Sequence, residues 1–181
     1  MAAMSVSIPA QEKGHKAATA QPVPTAAMAD KPAVTDQSAN GDSAALGMLA
    51  AINEHEIATA AQAIGKKVSG KVLEYARMMK KDHSENLTKT RALGALSNGA
   101  DVQQLKAKGA AELKTLSSVT AGTYPKAYMA AMVKGHEDAL EMIDTRLLPA
   151  ASSAPVKQHL IQTRAHVARH LEAAQAITAT L

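Results

Sequence analysis

The chain has 181 residues, 46% of them hydrophobic, and a formal charge of +4, which is enough for one domain core with sequence to spare. It contains no Cys, Phe or Trp and three Tyr, which excludes disulfides, thiolate metal sites and cysteine nucleophiles. The core must come from Ala, Leu, Val, Ile and nine Met, a mixture suited to closely packed helices rather than sheets.

Residues 1–41 are rich in Ala, Pro, Thr, Ser and Gln without sustained periodicity and are expected to form a disordered N-terminal tail. The opening MAAMSVSIPA lacks the charged start and apolar core of a secretory signal, so the chain reads as a mature form with an added Met. A helical bundle domain is expected over 42–181. Asp42 or Ser43 can cap a first helix over 44–65, with an inner stripe of Leu46, Leu49, Asn53, Glu56, Ala60 and Ile64. KKVSG marks a turn, and Ser69 can cap a second helix over 70–97, ended by Ser97-Asn98-Gly99. A shorter helix follows from Asp101 to about 117. Pro125 fits the first turn of a fourth helix reaching Leu148, and PAASSAP links it to a fifth. No apolar run approaches the roughly 20 residues of a transmembrane span. The densest basic positions, Lys66, Lys67, Lys71, Lys80 and Lys81, lack the stacking partners of a nucleic-acid site and read as a solvated face.

Short turns make the first two and the last two long helices antiparallel hairpins, while the long connection with its short helix can travel along the bundle. The expected fold is therefore all-α, a ferritin-like four-helix bundle with an extra helix in the crossover. Each long helix interrupts its own stripe with one potential ligand: Glu56, His83, His136 and His170. Glu56 and His83 are nearly equidistant from the KKVSG turn, and His136 and His170 are equidistant from Ser153, so each pair should be level. His166, one turn before His170, is a fifth candidate.

A carboxylate and three imidazoles buried together need either a complete hydrogen-bond network or a metal. That donor set suits zinc, copper, iron, nickel or manganese. Met79 and Met132, each one turn before a histidine, would favour Cu(I) as ligands, although packing is the commoner role of Met. Tyr128 can hydrogen-bond into the site or face its rim. The Glu-x-x-His of a carboxylate di-iron centre occurs only at Glu12–His15, and no phosphate loop, nucleophile elbow or H-E-x-x-H is present.

HEIATAAQAIGKKVSGKVLEYARMMKKDH, YMAAMVKGHEDAL and the late HL of ARHLEAAQAI together resemble a bacterial family of ferritin-like domains, domain of unknown function 4142. Its members are usually described as predicted periplasmic or outer-membrane proteins. The resemblance covers about residues 44–178. Members commonly carry a Leu-Pro step before the last His; TRAHVARHL has none, which makes His166 a feature of this sequence. The resemblance implies a periplasmic location and a helical bundle, but no activity. The leading expectation is a core-bound transition metal ion serving sequestration, delivery or envelope stress defence, with an envelope protein as a further partner. The alternative is a structural or interaction module whose polar layer only fixes helix packing. An enzyme ranks third, since no activated nucleophile can be read here.

Overall fold

The computed structural model describes residues 35–181, with side chains from Asn40 onward. Most of the expected tail, and Glu12–His15 with it, lies outside the described residues. Five helices follow: α1 (Thr35–Gly65), α2 (Gly70–Ala92), α3 (Ala100–Ser117), α4 (Tyr124–Met142) and α5 (Ala154–Thr178). A wide π turn at Ile143–Leu147 and a short helical turn at Leu148–Ala150 prolong α4. Pro149, whose ring crowds the carbonyl four residues earlier, sits just past that widened turn. No strand occurs among the described residues. The fold is an all-α bundle.

Pairs of touching residues give the helix directions. Asn53 meets Asn86 while Ser43 meets Ser97, so α1 and α2 are antiparallel. His136 meets His170 and Asp144 meets Arg164, so α4 and α5 are antiparallel too. Tyr75 meets Tyr128 and His83 meets His136 at the same sequence offset, which makes α2 and α4 parallel. The crossover explains this. α3 climbs alongside α1 in the same direction, with Lys106 on Glu54, Leu113 on Gln62 and Ser117 on Lys66.

Two helix ends differ from the sequence expectation. α1 is already helical at Thr35, the first described residue, rather than starting near Asp42. Gly41 gives α1 a close approach to the turn after α4, where a Cβ would lie 2.3 Å from the Ala150 carbonyl oxygen. Asp42 turns to the start of α5, where its carboxylate accepts the backbone N–H of Ser152 at 2.7 Å and of Ser153 at 3.2 Å. Burial opposes its ionisation, but the hydrogen bonds from Ser153 and Ser152 prevail and hold its carboxyl below the ordinary value. α2 stops at Ala92 because the chain then crosses α1. There the Ser97 N–H binds the Ser43 carbonyl at 2.9 Å, over Gly47, which has no side chain to obstruct it.

The core has two apolar halves. One holds Leu46, Leu49, Ile143, Leu147, Leu160 and Val167; the other holds Val72, Met79, Tyr124, Tyr128, Met129 and Met132. Polar residues buried with them include Asn53, Glu56, His83, His136, Thr163 and His170.

Candidate metal centre

His83 of α2, His136 of α4 and His170 of α5 converge in this polar layer. Their ring centroids are 5.4–5.9 Å apart. Each offers one nitrogen such that all three lie within 4.8 Å of one another, and all three side chains are buried. The helical period accounts for the convergence, since each histidine replaces an apolar residue on the inward stripe of its helix.

The outer nitrogens fix the tautomers. The Asn53 amide donates to the Leu49 carbonyl at 2.9 Å and to Asn86 Oδ1 at 2.8 Å, which leaves its oxygen as the acceptor facing His83 Nδ1 at 2.8 Å. His83 therefore donates from Nδ1. His136 donates from Nδ1 to the Met132 carbonyl at 2.7 Å, and His170 donates from Nε2 to the Asp82 carboxylate at 3.2 Å. The remaining nitrogens, His83 Nε2, His136 Nε2 and His170 Nδ1, are buried without a hydrogen-bond partner. They carry lone pairs. An imidazole held by an outer acceptor with a bare inner nitrogen has the geometry of a metal ligand supported from behind.

Electrostatics keep those lone pairs free. Burial pushes His83 well below its ordinary pKa, and the neighbouring His136, His170 and His166 add to the effect. Burial lowers His136 to about 4 against the opposing bond to Met132, and lowers His170 against the opposing Asp82 carboxylate. All three are neutral at neutral pH, which is the protonation state that ligation needs.

Of the other candidate ligands, Glu56 and His166 are outside that mutually close set. Glu56 is buried on α1, 4% exposed, but does not join the mutually close set; it borders a groove between α1, α3 and α4. Burial raises its carboxyl to about 7. His166 is exposed and lines a pocket of about 250 Å³ between α2 and α5, whose walls also include His83, His170, Asp82 and Asn86. Met79 and Met132 are buried in the apolar half that includes the tyrosines. Tyr128 is fully buried, its hydroxyl without a partner.

Three residues that support the histidines carry no role in the sequence reading. Asn53 orients His83, Asp82 orients His170, and Asn86 joins Asn53 to Thr163 at 2.8 Å. The only sequence signals for them are the place of Asn53 on the inward stripe and of Asp82 beside His83.

Fold and site together define a helical bundle with a buried three-histidine cluster. Over residues 24–177 the chain matches the family described as Domain of unknown function (DUF4142), and it belongs to that family. No curated protein and no solved structure matches it.

Proposed function

We propose that the protein binds one transition metal ion through His83 Nε2, His136 Nε2 and His170 Nδ1, and that it sequesters or delivers that ion in the periplasm. One observation carries this reading: three buried imidazoles are each anchored through the outer nitrogen and bare at the inner one. Stranding three polar nitrogens in a core costs free energy that a shared cation would offset. Three neutral imidazoles suit zinc, copper or iron, with further coordination positions left for water or a recipient's ligand. The pocket between α2 and α5 is the path for the ion, since two of the histidines line it.

The test is elemental analysis of untagged protein after dialysis against each metal. One ion per chain in the wild type, and none in His83→Ala, is the expected result. Metal-free protein whose melting temperature ignores both metal and chelator would overturn it. A second reading draws on the Asn53–Asn86–Thr163 chain, which ties α1, α2 and α5 together. On that reading the polar layer sets helix register, as buried polar groups do in some bundles.

A further inference from the structure

On the side of the bundle covered by α3, a second cavity has a different chemistry. It encloses about 480 Å³, within the size range of small-molecule sites. Its walls are mainly apolar, with Ile52 from α1, Leu105 and Leu116 from α3, and Ala131, Ala139 and Met142 from α4 and its end. Glu56 lines the same cavity, is 4% exposed, and has its Oε2 atom buried without a hydrogen-bond partner. Gly135 opposite leaves room for the carboxyl, because a Cβ there would lie 3.3 Å from Glu56 Oε1.

The basic side chains around this cavity are engaged elsewhere. His55 Nε2 lies 3.3 Å from Glu112, and Lys108 lies 3.3 Å from Asp138 and 3.8 Å from Glu112. Lys134 pairs with Asp138. A buried carboxylate among apolar walls is best satisfied by a charge-assisted hydrogen bond from a cation, with the rest of the ligand covering the apolar surface. We propose that this groove binds a small apolar molecule bearing one protonated amine, with the ammonium on Glu56 and the hydrocarbon along α3 and α4. The site is separate from the three-histidine cluster and does not depend on metal binding there.

Calorimetric titration of the chelator-treated full chain with n-hexylamine, n-hexanol and hexanoate tests the proposal, and removing metal first excludes amine coordination at the histidines. The expected result is hexylamine binding at least about tenfold tighter than hexanol, with hexanoate weaker than both, the advantage a charge-assisted pair confers. Glu56→Gln should bring hexylamine to the level of hexanol, and Ala131→Phe, which fills the groove, should remove both. Hexanol binding as tightly as hexylamine, an amine preference that survives Glu56→Gln, or no binding of hexylamine to the wild type would each overturn the proposal. The comparison of amine and alcohol on the unmodified chain decides even if a variant fails to fold.

Discussion

Asn53 holds His83 from behind: its side-chain oxygen accepts the imidazole Nδ1–H at 2.8 Å, while its amide is fixed by Leu49 and Asn86. Because both donors of the amide are committed, the asparagine cannot flip to present nitrogen to the ring. One residue on α1 thereby sets the direction of a lone pair on α2.

Asn53→Ala should therefore loosen the metal more than it loosens the fold. Loss of such a supporting partner typically costs about 10–100-fold in metal affinity. The apo bundle should lose about 1–3 kcal/mol, since the buried His83 Nδ1–H is left without an acceptor. Competition titration with a chromophoric chelator measures the first quantity, and urea unfolding of metal-free protein measures the second.

The histidine layer was legible in the sequence because the helical period leaves few readings for a polar residue inside an apolar stripe. Short turns pair α2 with α1 and α4 with α5, and equal distance from the second turn places His136 level with His170. Height alone could not choose between Asn53 and Glu56, which lie three residues apart on one face, a rise of about 4.5 Å. That is within the reach of a histidine side chain. The groove beside Glu56 depends on how α3 leans on its neighbours, and the narrow stripe of Val102, Leu105, Gly109, Leu113 and Leu116 on an otherwise exposed α3 does not say which helices it meets. The helical stretch ahead of Asp42 is hidden from a reading of composition for a related reason. Asn40-Gly41-Asp42-Ser43 has the composition of a break, but the glycine serves a close contact with Ala150 and the aspartate binds the backbone before α5.

His136→Leu separates ligand from filler. The imidazole has one protein hydrogen bond, to a carbonyl of its own helix, and leucine continues the apolar stripe of Met132, Ala139 and Ile143. The variant should lose stoichiometric metal binding, yet unfold thermally at or above the temperature of the metal-free wild type. An apo destabilisation of about 1–3 kcal/mol would instead assign His136 to a structural hydrogen-bond network.

Acid should destabilise the apo bundle through its histidines. The folded pKa of His136, about 4, lies below its ordinary 6.5, and those of His83 and His170 are lowered as well. The unfolded chain therefore takes up protons first. Stability from these groups is complete above pH 6.5 and is lost as pH falls through the folded values. Metal-loaded protein should show a steeper loss, because protons and metal compete for the same nitrogens. Melting curves of both forms between pH 7.5 and 4 provide the check; parallel, flat profiles would contradict it.

Glu56 should have the opposite sign. Its carboxyl rises from 4.5 to about 7 on folding, so the stability it contributes is present below 4.5 and is lost as pH rises through about 7. Glu56→Gln should stabilise the apo protein at pH 8, by up to about 3 kcal/mol if the whole shift is realised. Little change is expected at pH 5, where the native carboxyl is already protonated. Equal effects of the substitution at the two pH values would show that the carboxyl ionises in the fold as freely as in water.

His166 marks the mouth of the pocket that reaches the cluster, and its position predicts a kinetic role. It is exposed, one turn from His170, and shares the pocket with His83 and with the acidic Asp82 and Glu85. On the path proposed between α2 and α5, an arriving ion would meet these groups before the buried nitrogens. Lys81 opposes them, lying 2.7 Å from Glu85 and 3.8 Å from Asp82 and neutralising part of the acidic lining. His166→Ala should slow metal uptake several-fold in stopped-flow mixing while leaving stoichiometry and equilibrium affinity unchanged. Lys81→Gln should speed uptake at low ionic strength and lose that advantage in salt, because the effect is one of steering by exposed charge. If His166→Ala lowers equilibrium affinity as strongly as His83→Ala does, His166 is a ligand and the centre must close around it. If uptake rates ignore both substitutions, the ion reaches the histidines by another route.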